Sequence, residues 1–188
     1  MKKASIRPSA ATSASVGAKI HLVAAGSETL TIVFTDLVDS TAIRSSLGED
    51  RADELQTVHL EILTTTTTEH NGRIVKGLGD GVLAVFDSAA DAVDAAVEMQ
   101  RRTNHYSSRP DALGRLLIRV GISTGDVSWD DQDDIAGTAA NEAARIEGLA
   151  QGGQILCADL TKLVARGRGD HHFTAVGEYD LKGIPHPV

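Results

Sequence analysis

Two aspartates stand out by where they fall. Asp36 follows the β-branched and aromatic run Leu30-Thr31-Ile32-Val33-Phe34, and Asp80 sits between two glycines in Gly79-Asp80-Gly81. If the elements that carry them are neighbours, the two carboxylates converge. Converging carboxylates suit a hard divalent ion such as Mg²⁺, which shares its oxygen ligands with phosphates. Each also has a plainer reading when taken singly. Gly-Asp-Gly is good turn chemistry, and an aspartate after a strand often caps the next helix. The stretch from Phe34 to Thr41 passes from strand to helix through small polar residues. Backbone N–H groups at such a helix start attract phosphate, which makes Leu37, Val38, Ser40 and Thr41 candidate phosphate contacts. There is no Gly-rich run ending in Gly-Lys-Ser/Thr, so this is not a Walker motif.

Lys76 and Asp134 form a more pointed pair. Adenine offers an acceptor at N1 and a donor at N6, to which a lysine can donate and from which an aspartate can accept. Guanine presents the opposite pattern, and would leave a Lys/Asp pair with unmatched polar groups. The alternatives are an exposed strand lysine and one more acid in Asp130-Asp131-Gln132-Asp133-Asp134. Asn141 and Arg145 are four apart and share a helix face. A carboxamide beside a guanidinium can hold a ribose oxygen and a phosphate oxygen, although a solvated helix face is the commoner reason for such a pair.

The elements that must position these residues follow from periodicity. Leu30 to Phe34 reads as a strand ending at Thr35-Asp36. Ser40-Thr41 can cap a short helix that reaches Leu47 and stops at Gly48. Leu55, Val58, Ile62 and Leu63 fall at helical spacing, but the five threonines Thr64 to Thr68 weaken a helix there, because β-branched side chains lose rotamer freedom. Asn71-Gly72 is a stop. Arg73–Lys76 and Val82–Phe86 flank Gly79-Asp80-Gly81 as a β-hairpin. Ser88 and Asp91 form a capping box for a helix with Ala89, Val93, Ala96 and Val97 on one face. A strand over Leu116–Ile122, an acidic loop, a helix from Thr138 to Leu149, a strand at Gln154–Cys157 and a helix from Asp159 to Val164 complete the order. The succession β-α-β-β-α-β predicts an α+β fold with a ferredoxin-like core. Its sheet is expected to be mainly antiparallel, with helices on one face and the other face or an edge free for a partner.

Four blocks together resemble the catalytic domain of class III adenylate/guanylate cyclases, particularly the short bacterial forms. They are Phe34-Thr-Asp-Leu-Val-Asp-Ser-Thr41, Lys76-Gly-Leu-Gly-Asp-Gly81, Arg119-Val-Gly-Ile-Ser-Thr-Gly125 and Asp134-Ile-Ala-Gly-Thr-Ala-Ala-Asn-Glu-Ala-Ala-Arg145. The resemblance covers the chain from about Leu30 to the C-terminus. It implies that Asp36 and Asp80 bind two divalent metal ions, Mg²⁺ or Mn²⁺, and that Lys76 and Asp134 select adenine. By the same resemblance Asn141 orients the ribose and Arg145 stabilises the transition state. Lys182, in the short match Leu181-Lys182-Gly183, resembles the lysine that reaches the terminal phosphates.

The implied activity is that of an adenylate cyclase, converting ATP to 3′,5′-cyclic AMP and pyrophosphate in a homodimer. The metal aspartates would come from one chain and the base-selecting pair, the Asn and the Arg from the other. The alternatives are a catalytically silent cyclase-like module and a guanylate cyclase. Asp39 stands where the family commonly has glycine, and Ser40 where many members have phenylalanine, so the phosphate-facing turn carries an unusual charge. The sequence ends soon after Pro185, where the family often has one more strand. The short loop from Asp126 to Asp134 suggests a small dimerisation arm.

Composition agrees with a single domain. The chain has 188 residues, 41% of them hydrophobic and 3% aromatic, so its core is built from aliphatic side chains. A net charge of −8 argues against general nucleic-acid binding, which needs Lys and Arg to neutralise phosphates. The lone Cys157 excludes an internal disulfide. No apolar run approaches the roughly 20 residues of a membrane span, and a cytoplasmic location is expected. Residues 1–28, basic and rich in Ala and Ser, read as a tail or as the linker from an upstream sensor or regulatory domain. Residues 29–188 read as the cyclase domain.

Overall fold

The computed structural model describes residues 27–166 and 171–188. The tail expected over 1–28 lies outside the described residues, except that Ser27 and Glu28 open the first strand. In chain order the elements are β1 (Ser27–Leu37), α1 (Ser40–Leu47), α2 (Glu49–Glu69), β2 (Arg73–Gly77), β3 (Val82–Phe86), α3 (Ala89–Ser107), β4 (Ile118–Trp129), β5 (Ile135–Ala136), α4 (Thr138–Leu149), β6 (Ile155–Cys157) and α5 (Asp159–Ala165). The sheet runs β2-β3-β1-β4-β5, with antiparallel neighbours throughout and β6 joined in parallel to β4. This is the expected α+β fold with its βαββαβ core.

Strand alternation sorts the side chains onto two faces. Val33, Leu37, Val82, Ala84, Phe86, Ile118, Val120 and Ile122 meet Leu55 and Leu63 of α2 and the alanine-rich side of α3 in the larger core. Leu30, Ile32, Leu83, Val85 and Val127 point the other way, toward Ala139, Ala140 and Ala143 of α4. Helices therefore pack on both faces, not on one as the element order suggested. The small residues of α4 let it lie close against the sheet. At Gly121 a Cβ would fall 2.2 Å from the Glu147 nitrogen, so only glycine admits that approach.

Three local expectations change. The helix α2 runs straight through its threonines, because Thr64, Thr67 and Thr68 donate their hydroxyls to carbonyls four residues back at 2.8–3.0 Å. Thr66 and Thr67 are buried against the core side of the helix. The start of α1 is capped by Asp39, not by Ser40 or Thr41, and Asp39 is left-handed at φ 58°, ψ 28° with no side-chain capping bond. The strand expected to stop at Ile122 continues to Trp129 and returns as β5, so the acidic loop is the tip of a hairpin. Among the described residues no helix is long and apolar enough to cross a membrane.

Candidate active site

The pairing of β1 with β4 sets Asp36 opposite Arg119. Arg119 donates through Nε to Asp36 Oδ2 at 2.8 Å, and its NH2 lies 2.6 Å from the same oxygen. Glu147 of α4 also reaches Arg119, with Oε1 2.6 Å from the same Nε. The Nε proton is directed at Asp36. Glu147 Oε1 is left in ion-pair contact, buried and without a hydrogen bond. Burial pushes the Asp36 carboxyl above its ordinary pKa, the Arg119 bond opposes this, and the charge of Asp80 adds to the rise. Burial likewise raises Glu147, opposed by Arg119 and aided by Asp36 and Asp80.

Asp80 comes to Asp36 from the β2–β3 hairpin. At Gly81 a Cβ would fall 1.8 Å from the Thr35 carbonyl oxygen, so glycine lets the hairpin press onto β1. The Thr35 hydroxyl accepts from the Val82 amide at 2.9 Å. The Asp80 carbonyl accepts from the Leu37 amide at 3.0 Å and from His59 Nε2 at 3.1 Å, and its carboxylate accepts from Ser40 Oγ at 2.5 Å. Both metal-candidate aspartates thus converge as the sequence anticipated. Among the described residues no three His, Cys, Asp or Glu side chains gather as a metal cage. Two carboxylates with an excess of negative charge fit Mg²⁺ or Mn²⁺, with water and phosphate oxygens supplying the remaining ligands.

Beside Asp80 opens a cleft of about 340 Å³ lined in part by Leu37, Ser40, Thr41, Arg44 and Gln56. The amides of Leu37 and Val38 are engaged by the Asp80 and Leu117 carbonyls. The phosphate-binding amides expected across this turn are therefore reduced to those of Ser40 and Thr41. Asp39, exposed and left-handed, confirms that a non-glycine residue here needs a special backbone conformation.

The second group of candidates lies elsewhere. Lys76 Nζ is hydrogen-bonded to Asp134 Oδ2. Asp130 shapes the turn that presents Asp134, its carboxylate accepting from the Gln132 and Asp134 amides at 2.8 and 3.0 Å. Arg73 of β2 lies 4.3 Å above the Trp129 ring and holds the β4–β5 hairpin beside β2. The Lys76 bond, then the Ile135 amide, hold the Asp134 carboxyl below its ordinary pKa. Asn141 and Arg145 are exposed on α4. Lys182 is exposed in a turn anchored by buried Leu181, which clusters with Ile146 of α4 and Ala158. None of Lys76, Asp134, Asn141, Arg145 or Lys182 lines the cleft beside Asp80.

The family described as the adenylate and guanylate cyclase catalytic domain matches residues 22–187. The chain belongs to this family. A Rhizobium meliloti protein provisionally named adenylate cyclase 3 is 35% identical over 128 residues, which are 68% of this chain and 22% of that protein. The cyclase domain thus spans about a fifth of that relative's length. Among solved structures, an adenylate/guanylate cyclase/hydrolase from Silicibacter pomeroyi superposes with a TM-score of 0.74 at 29% identity, covering 87% of this chain and 94% of that one. The guanylyl cyclase Cya2 gives 0.76 at 25% identity, covering 86% and 89%. The relatives include both adenylate and guanylate cyclases, so membership identifies a class III nucleotide cyclase domain without choosing between the two substrates.

Sequence reasoning passed over three residues that surround Asp36 and Asp80. Arg119 lay inside a quoted block, and its alternation onto the face of Asp36 was the available signal. Glu147 follows Arg145 by two positions, and its role depends on the close approach at Gly121. His59 was a polar residue on the apolar stripe of α2, between Leu55 and Leu63.

Proposed function

We propose that this cyclase domain is an adenylate cyclase that converts ATP to 3′,5′-cyclic AMP and pyrophosphate, as a homodimer whose sites are shared between chains. The observation that carries the substrate choice is the contact of Lys76 with Asp134. A donor and an acceptor held side by side match N1 and N6 of adenine and mismatch guanine. In this reading Asp36 and Asp80 hold two divalent ions, Mg²⁺ or Mn²⁺. Such ions, when bound, neutralise triphosphate charge and acidify the ribose 3′-hydroxyl. The amides of Ser40 and Thr41 and the ammonium of Lys182 bind phosphate oxygens. Asn141 holds the ribose in attack geometry, and Arg145 stabilises charge that builds on the α-phosphate. Arg119, fixed between Asp36 and Glu147, adds positive charge at the triphosphate end.

Sharing is supported by the exposure of Asn141, Arg145 and Lys182, which leaves them open to a partner chain. A two-fold partner would bring its own set of these residues across the interface. The deciding assay supplies purified chain with Mn²⁺ and either ATP or GTP. Cyclic AMP formed in preference to cyclic GMP is the expected result. Preference for GTP overturns the substrate assignment, and nucleotide binding without turnover turns the domain into a silent module.

A further inference from the structure

Behind the hairpin tip, α2 offers two polar side chains to two consecutive backbone carbonyls. Gln56 Nε2 donates to the Gly79 carbonyl at 2.7 Å, and His59 pairs through Nε2 with the Asp80 carbonyl at 3.1 Å. Residues three apart share a helix face, so both contacts come from one side of α2. Gln56 is itself held by Arg44, whose NH2 donates to Gln56 Oε1 at 2.8 Å. A carbonyl oxygen only accepts, so His59 carries its proton on Nε2. Its Nδ1 has no partner although His59 is 0% exposed.

Burying a polar ring with one nitrogen unmatched destabilises the fold relative to an apolar side chain of similar size. Leu55 and Leu63, one turn to either side, show that this stripe accepts leucine. What histidine adds at this position is the bond to Asp80. That carbonyl also accepts from the Leu37 amide, so one oxygen joins α2, β1 and the hairpin. The peptide after Asp80 is held from behind, while Ser40 holds the carboxylate in front.

We infer that His59 is a positioning residue for the metal-binding half of the site, fixing the Asp80 backbone so that its carboxylate faces Asp36, with Gln56 as the second point of a clamp. The inference rests on the proposed metal role of Asp80. A displacement of about 1 Å in a reacting constellation can cost roughly a hundredfold in rate, so a tip that swivels matters even when the fold survives.

The experiment compares His59→Gln, which keeps an amide donor near the position of Nε2, with His59→Leu, which keeps volume and loses the donor. Asp80→Ala serves as the control, and all variants are made in the full chain. Two quantities are read: the Mn²⁺ concentration for half-maximal cyclase activity, and amide hydrogen exchange at Leu37 and Leu78 without metal. His59→Leu should raise the Mn²⁺ requirement and speed exchange at Leu37 by about tenfold each, the effect of one lost hydrogen bond. His59→Gln should stay within about twofold of wild type in both. Equal behaviour of the two variants, or a Leu variant that matches wild type, overturns the inference. If His59→Leu does not fold, ¹⁵N NMR of the wild-type imidazole decides: a proton on Nε2 supports the clamp, and a proton on Nδ1 overturns it. Full activity in Asp80→Ala would instead defeat the metal assignment. An inactive Asp80→Ala beside a normal His59→Leu would defeat only the clamp.

Discussion

Asp80 and Asp134 are both acids presented by tight turns between strands, and they are held very differently. Asp80 has its carbonyl bonded twice and its carboxylate bonded by Ser40. Its neighbour Asp36 has a side chain 25% exposed, and His59 behind it is sealed from solvent. Asp134 stands at 36% exposure and meets a lysine that is 44% exposed. The surroundings of Asp36 and Asp80, proposed as the metal half, are assembled from β1, α1, α2, the β2–β3 hairpin, β4 and α4 of one chain, and they carry negative charge that Arg119 does not cancel. The proposed base half is a solvent-facing pair whose charges satisfy each other. In the proposed mechanism the first is preorganised for cations. The second becomes a pocket when something covers it, and a second copy of the chain is the cover that the proposed mechanism requires.

The sharpest way to break this contrast is at Asp80. Asp80→Ala should lower turnover by about a thousandfold or more, since several kcal/mol of charge stabilisation depend on the ions. The melting temperature should change by only a few degrees, because the backbone bonds of the tip remain. Near wild-type activity with Mg²⁺ or Mn²⁺ would remove the metal assignment. A smaller effect is expected from the exposed half. Lys76→Glu combined with Asp134→Ala should reduce the ATP-over-GTP preference by about 10- to 100-fold, as mismatched hydrogen bonds cost roughly 1–3 kcal/mol. A double variant that keeps its full preference for ATP would place base selection elsewhere.

The sealed half should also respond to pH in the metal-free chain. Burial holds the His59 imidazole below its ordinary pKa of 6.5, so the folded chain takes up that proton at a lower pH than the unfolded chain. The unfolded chain takes up that proton as pH falls through 6.5. Below that value the unfolded state binds more protons, and stability present at higher pH is lost. Between pH 7.5 and 5.5 the wild type should lose more unfolding free energy than His59→Gln. Equal losses in denaturant titrations would contradict a buried neutral imidazole. The smallest effect is expected at the turn between the strand and α1. Asp39→Gly should relieve left-handed strain worth about 0.5–1 kcal/mol and lower KM for the metal-nucleotide, with thermal melting and kinetics as the checks. An unchanged melting temperature and KM would mean that Asp39 is neither strained nor repulsive.

What the sequence made legible divides along the same line. The strands, the Gly-Asp-Gly hairpin and the helix Thr138–Leu149 follow from local periodicity and turn chemistry. Asp36 and Asp80 could be paired because their elements adjoin in the predicted core. Lys76 and Asp134, far apart in the chain, were paired through the chemistry of adenine, and the structure brings them into contact. The missed residues act through tertiary approach. Glu147 reaches Arg119 only because Gly121 admits α4 to the sheet. His59 lies on a helix whose threonines argued against helix altogether, until their hydroxyls found carbonyls within the same helix. The engagement of the Leu37 and Val38 amides was likewise invisible, since backbone partners across a turn leave no mark on side-chain type.

The central claim, that each complete site joins the metal half of one chain to the base half of another, is tested most directly by complementation. Asp80→Ala and Arg145→Ala should each be nearly inactive. Equal pools that exchange subunits freely give about half heterodimers across a symmetric interface. In each heterodimer one site gathers both lesions and the other gathers none. Activity should return to about a quarter of wild type if the two sites act independently. No recovery after demonstrated subunit exchange would mean that Asp80 and Arg145 serve the same site from the same chain.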